Sequence, residues 1–274
     1  MPDERELHRP REEEGHRAAG GPRQGGGQGR PARDVQEGRH RHVLGAPRSV
    51  ARRRRRPHGS VRRVVAVVLT VDADHPSDDV IARATSALVA GSLLIYPTDT
   101  LYAVGGLALK PEVGRAVREA KGREGGKPLP LVVGSLEQAR SICASWPEAA
   151  ALLAARFWPG PLSLIVPARP EVPSDVTSGT GTVAVRVPAR ALTRQLCAAG
   201  PLIATSANRA GQTAPRLCAD AVAAVGVSAA LALDGGPGRT ASSTLVDLTE
   251  TAPRLLRPGP VEWADVLATL RARS

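Results

Sequence analysis

From Val64 onward, short β-branched runs alternate with alanine-rich stretches of helical spacing, and this alternation restricts the chain to a layered α/β arrangement. Residues 64–71 form an apolar run that predicts a first strand. Ser77 then caps a helix whose apolar positions Val80, Ile81, Ala84 and Leu88 recur on one face until Gly91 stops it. Further strands are expected at 92–96, 129–133, 162–166, 182–187, 201–204, 230–233, 243–248 and 253–257, with helices at 111–121, 135–145, 147–157, 190–199 and 261–272. Several connections are too short for a helical crossover. The expected fold is therefore a single α/β domain over 63–274, with a twisted, mostly mixed β-sheet flanked by helices.

Residues 1–62 do not share this pattern. Residues 1–63 hold 17 Arg or Lys against 8 Asp or Glu, ten Gly, and no Phe, Trp or Tyr. Such a stretch cannot bury enough apolar surface to offset the entropy of ordering, so 1–62 is expected to be a disordered basic Arg/Gly-rich extension. Its arginine run 52–56 suits a solvated tail or a contact with RNA or another acidic surface; translation from upstream of the true start is a third reading. Most of the chain's net charge of +11 sits here, because residues 64–274 carry 20 Arg or Lys against 18 Asp or Glu. The near-neutral remainder gives no electrostatic reason to expect a nucleic-acid-binding fold. The apolar run 64–71 meets Asp72 and Asp74 at once, which makes it too short for an export signal or for the ~20 residues of a membrane span. Cys143, Cys197 and Cys218 are odd in number and lack CxxC spacing, which fits reduced, buried thiols in a cytoplasmic protein.

Four polar segments fall at strand ends, where α/β proteins place ligand sites. The first, Tyr96-Pro97-Thr98-Asp99-Thr100-Leu101-Tyr102, gathers two hydroxyls, a carboxylate and a phenol, although a capped turn would use the same residues. The second holds Lys121, Arg123 and Lys127 among glycines. These cations suit a phosphate chain, Lys as a point charge and Arg as a fork, or equally an ordinary charged helix end. A P-loop is excluded: the spacing from Gly122 to Lys127 is one residue short, and Pro128 stands where Ser or Thr would hold magnesium. The third segment, Thr205-Ser206-Ala207-Asn208, could hold a nucleotide or cap a helix. Ser242-Ser243-Thr244 and Arg257-Pro258-Gly259 make the fourth. Trp146, Phe157 and Trp158 read as core, and His75 as a solvated loop residue.

Together and in this order the segments resemble the threonylcarbamoyl-AMP synthases, the family of the YrdC-like domain. The family pattern runs Pro-Thr-Asp/Glu-Thr-x-Tyr-Gly, Lys-x-Arg, Trp-Pro-Gly-Pro-x-Thr, Val-Arg-x-Pro, Ser-Ala-Asn, Ser-Thr-x-x-Asp and Arg-Pro-Gly. It is met at residues 97–102, 121–123, 158–163, 185–188, 206–208, 243–247 and 257–259, with Ala103 in place of Gly and Ser163 in place of Thr. Ala210 stands where Ser often follows the Ser-Ala-Asn motif.

The resemblance implies a YrdC-like fold. It also implies formation of L-threonylcarbamoyladenylate and pyrophosphate from L-threonine, bicarbonate and ATP, for the threonylcarbamoyladenosine modification of tRNA. It makes Lys121 and Arg123 catalytic, sets Arg123, Lys127, Ser163, Ser206, Asn208 and Arg257 on ATP, and sets Thr98, Thr100, Tyr102, Arg186 and Ser243 on threonine and carbamate. Mg2+ is expected to arrive with ATP, without a dedicated protein site. Expected partners are the proteins that transfer the threonylcarbamoyl group, with a possible contact to tRNA and none to membrane. Two other readings are a double-stranded RNA-binding module, which the near-neutral charge disfavours, and a carbamoyl-adenylate-forming domain serving another acceptor.

Overall fold

The computed structural model describes residues 65–122, 126–239 and 241–272; the expected tail at 1–62 and Arg123 lie outside them. The chain separates into Met1–His58 and Gly59–Ser274, and all described residues belong to the second part.

The mixed α/β class expected from the sequence is what folds, with the strands shared between two sheets instead of one. In the first sheet, β1 (Val67–Thr70), β9 (Ala229–Asp234), β2 (Leu93–Pro97), β3 (Tyr102–Gly105) and β8 (Thr205–Ser206) lie in that order. Pairing is parallel as far as β2 and antiparallel beyond it. In the second, β11 (Arg254–Arg257), β10 (Thr244–Asp247), β5 (Leu162–Pro167), β6 (Thr182–Arg186), β4 (Leu131–Val132) and β7 (Leu202–Ile203) alternate between antiparallel and parallel neighbours.

Helices cover both faces of the first sheet, which is why β2 is buried along its whole length. On one face Leu94 and Tyr96 pack with Ala84 and Leu88 of α1 (Asp78–Val89) and with Leu192 and Leu196 of α6 (Ala191–Leu196). On the other, Leu93 and Ile95 pack with Val113 and Val117 of α2 (Pro111–Lys121) and with Ala221 and Val225 of α7 (Cys218–Val225). α3 (Leu136–Ser141) starts on a Ser135 cap, and α5 (Ser174–Thr177) is a single turn packed beneath α2.

The second sheet is covered along one face, while the other is open along β5 and β6 and closes again at Val132 and Leu202, which pack with Leu192 and Leu196 of α6. Leu162, Leu164 and Val166 point into a core with Ala150, Leu153 and Ala154 of α4 (Glu148–Phe157) and Val266 of α8 (Trp263–Arg271). Each buried Leu or Val contributes about 1.5–3 kcal/mol. Successive side chains of a strand point to opposite faces, so Ser163 and Ile165 of β5 and Ala184 and Arg186 of β6 look the other way, into a cleft.

The two sheets meet where the chain runs from β7 through Ala204 into β8. A Cβ at Gly105 would lie 1.6 Å from the Ile203 carbonyl oxygen, so only glycine fits there. The same oxygen accepts a hydrogen bond from the Tyr96 hydroxyl at 2.7 Å.

β3 and α7 have no counterpart among the elements expected from sequence. β3 follows directly on the polar Pro97-Thr98-Asp99-Thr100 turn, which masks its apolar character. α7 buries Cys218, Ala221 and Val225 at helical spacing, but it is only two turns long, has no side-chain cap, and starts beside the proline-flanked segment at 215.

Candidate active site

A cleft of about 1060 Å3 opens over the uncovered part of the second sheet and is closed on its far side by the strand ends of the first. Every site residue expected from the sequence lines it, apart from Arg123, which is outside the described residues.

Lys121 ends α2 because Gly122 adopts a left-handed conformation (φ 58°) that bends the chain away. The lysine is no solvated helix end. It is buried, and its Nζ donates to the Ser206 carbonyl, to the Asn208 carbonyl at 2.8 Å and to Asn208 Oδ1 at 3.5 Å. Asn208 Nδ2 in turn donates to the carbonyls of Arg209 (2.9 Å) and Gln212 (2.7 Å). The Ser-Ala-Asn segment thus fixes the position of the ammonium on the cleft wall. Lys127 is exposed on the same cleft. Its carbonyl accepts from Arg118, whose guanidinium also grips the Asp175 carbonyl at 2.7 Å and the Ser178 hydroxyl at 2.6 Å.

At the end of β2, Thr98 closes its own turn. Its Oγ1 accepts from the N–H groups of Thr100 (3.1 Å) and Leu101 (3.3 Å), donates to the Leu101 carbonyl (2.8 Å), and lies 2.9 Å from the Thr100 hydroxyl. The capped-turn reading of this segment therefore holds, and Thr98 and Thr100 line the cleft as well. Tyr102 lines the cleft, but its hydroxyl is engaged elsewhere: it bonds the Gly236 carbonyl at 2.6 Å and Asp234 Oδ1 at 3.1 Å. Burial, and then the Asp234 charge, push that phenol above its ordinary pKa.

On the second sheet, Ser163 and Ser243 share a hydrogen bond of 2.8 Å. Arg257 donates to the Ser243 carbonyl at 3.0 Å and to its hydroxyl at 3.2 Å. A register shift between β10 and β11 aligns Leu245 with Arg257 but Val246 with Leu255, and this bulge turns the arginine toward the serine. Gly259 makes the approach possible, since a Cβ there would lie 2.4 Å from the Thr244 nitrogen. Desolvation, and then the charge of Arg186, hold the Arg257 guanidinium below the ordinary arginine range. The residue as a whole is nonetheless exposed.

Arg186 is buried and paired with Asp99 from the β2–β3 turn. Eighty-seven positions separate these two residues, so no local sequence signal could have joined them. The Trp158-Pro159-Gly160-Pro161 corner, with a cis bond before Pro159, leads into β5 and sets Ser163 on the cleft face; the Trp158 indole donates to the Leu162 carbonyl at 2.7 Å. The three cysteines are free and buried, and burial raises the Cys197 thiol to about 12 and those of Cys143 and Cys218 to about 11. Among the described residues no trio of His, Cys, Asp or Glu gathers as a metal site, and no helix is long and apolar enough to cross a membrane.

A buried ammonium, two neighbouring guanidiniums and several hydroxyls thus line one cleft of an α/β domain. Residues 86–259, more than half of the chain, match the Sua5/YciO/YrdC family, described as "Telomere recombination". The chain belongs to this family. A threonylcarbamoyl-AMP synthase of Chromohalobacter salexigens is 41% identical over 180 residues, 62% of this chain and 93% of the relative. The threonylcarbamoyl-AMP synthase of Pyrococcus abyssi is 40% identical over 179 residues, 64% of this chain and 53% of the relative. The crystal structure of P. abyssi Sua5 complexed with L-threonine superposes with a TM-score of 0.72 at 34% identity, covering 75% of this chain and 61% of that one. The chain thus spans nearly the whole bacterial relative and about three fifths of the archaeal structure.

Proposed function

We propose that this chain joins L-threonine, bicarbonate and ATP into threonylcarbamoyl-AMP, with release of pyrophosphate and water. The observation that carries the proposal is the convergence of the described site residues on one cleft. The name shared by its relatives and the threonine bound in a Sua5 structure point the same way. The cleft volume of about 1060 Å3 slightly exceeds the ~300–1000 Å3 usual for one small ligand, which suits two substrates held together.

In this reading the threonine amine takes up the bicarbonate carbon to form a carbamate, losing water. A carbamate oxygen then attacks the α-phosphorus, and the bond to the bridging oxygen breaks as pyrophosphate departs. The protein supplies alignment and charge instead of a covalent nucleophile. Lys121, with Arg123 and Lys127, takes the phosphates; Ser206, Asn208 and Arg257 hold the nucleotide beside them. Arg186 grips the threonine carboxylate as a fork, with Thr98, Thr100 and Ser243 around the carbamate, while Ser163, hydrogen-bonded to Ser243, stays on the ATP side. Tyr102 supports this side by fixing the turn at 234–236. Magnesium would travel on the triphosphate. The product is a mixed anhydride and calls for partner proteins that pass its acyl group to tRNA. Those partners, ATP and tRNA place the reaction in the cytosol, in keeping with three free thiols.

Pyrophosphate release by the purified protein, with threonine and bicarbonate omitted in turn, tests the proposal. Loss of release on either omission is expected; equal release without threonine overturns it.

A further inference from the structure

The β2–β3 turn carries one charged side chain, Asp99, which stands behind the cleft lining and has no ligand assigned to it. Asp99 Oδ1 accepts from the Arg186 guanidinium, and the two side chains are 11% and 7% exposed. Asp99 Oδ2 is buried and has no hydrogen-bond partner among the described residues. A carboxylate removed from water is normally met by several donors. This one is committed to a single guanidinium.

That commitment has a geometric result. A guanidinium is planar and rigid, so fixing one N–H fixes the direction of the others. It also has an electrostatic result. Arg186 stands close enough to Arg257 for its charge to be felt there, and two like charges push apart unless a third group holds one of them. Asp99 can do so because its own backbone is set by the Thr98 turn.

We infer that Asp99 is a positioning residue for substrate binding: it anchors Arg186 against the repulsion of Arg257 and aims its remaining N–H donors at the carboxylate of an α-amino acid. The inference rests on the reading of this cleft as a threonine site. Asp99 touches no substrate; it acts through Arg186.

Kinetics and calorimetry on the full-length protein test it with Asp99→Asn, which keeps size and the turn but loses the charge. The threonine KM should rise about tenfold or more, the scale of one charge-assisted hydrogen bond, while the ATP KM stays within about twofold. Asp99→Glu, whose carboxylate sits one methylene further out, should fall between wild type and Asp99→Asn. If Asp99→Asn does not fold, Asp99→Glu decides, with a threonine KM raised about threefold expected and a wild-type value overturning the inference. A merely structural aspartate would move both KM values and the melting temperature together, and that result also overturns it. Threonine titrated into the wild-type protein separates the two levels. If wild type fails to bind threonine, the functional reading falls and takes this inference with it. If wild type and Asp99→Asn bind threonine equally, only the role of Asp99 falls.

Discussion

On the cleft wall built from the first sheet, the polar groups are already bonded to the protein. Lys121 is held by carbonyls and an amide, Asn208 spans from it to the next loop, and Thr98 caps its own turn. The wall built from the second sheet is different. There two arginines, Arg186 and Arg257, stand within reach of each other's charge beside one ion-paired carboxylate, Asp99. One wall fixes positions by saturating its hydrogen bonds, and the other keeps positive potential in reserve. A saturated wall binds nothing strongly by itself but loses precision when one partner is removed. An undercompensated wall is costly while empty and recovers that cost when an anion enters.

Substitutions that strip one wall at a time sharpen this contrast, and the largest effect is expected at Lys121. Lys121→Ala should lower turnover by about 10²–10³, the scale of one preorganised donor to a developing charge. The same change leaves the Ser206 and Asn208 carbonyls without their buried donor, so stability should fall by about 1–3 kcal/mol. Melting curves beside turnover numbers check both halves. A variant as slow as this but fully stable would mean that the hydrogen bonds seen here do not hold the loop.

On the other wall, Arg257→Ala should raise the ATP KM about tenfold with little loss of stability, because the residue is exposed. A stability loss as large as that of Lys121→Ala would erase the distinction between the walls. Ser243→Ala breaks the hydroxyl pair with Ser163 and removes one acceptor of Arg257. A loss of about 1 kcal/mol is expected, read as a roughly fivefold rise in the threonine KM. The smallest effect on rate belongs to Tyr102→Phe. Its hydroxyl serves the 234–236 turn, so stability should fall by about 1 kcal/mol, or 2–4 °C in melting temperature, with turnover near wild type. A turnover loss of tenfold would return the phenol to the ligand side.

Much of the frame was legible because it follows from periodicity. The strands of the second sheet alternate core and cleft residues, and the glycines and prolines of the motifs fall at a left-handed cap, a cis bond and a backbone contact. Most residues that line the cleft were legible as polar segments at strand and helix ends, while Ser163 and Arg186 stood out only through the family resemblance. What stayed hidden was pairing across distance. Neither Asp99 with Arg186 nor Ser163 with Ser243 leaves a trace in local sequence, and the division into two sheets depends on such pairings. The burial of Lys121 was hidden for a different reason. Helix-end lysines are usually solvated, and the oxygens brought in from residues 206–208 help to make burial tolerable.

The passage from β7 through Ala204 to β8 bears on how such a protein can vary. Ile203 belongs to the sheet that carries Arg186, while Ser206 belongs to the sheet beside Lys121, and three peptide steps join them. The Gly105 backbone presses directly on that thread. The spacing between the Arg186 end and the Lys121 end of the cleft is therefore gauged by a few covalent bonds, not by the softer balance of packed side chains. Loops around the rim can lengthen or change composition without disturbing that gauge. A single inserted residue at 203–205 would detune both ends together, so this short thread is where drift in the sequence has least latitude.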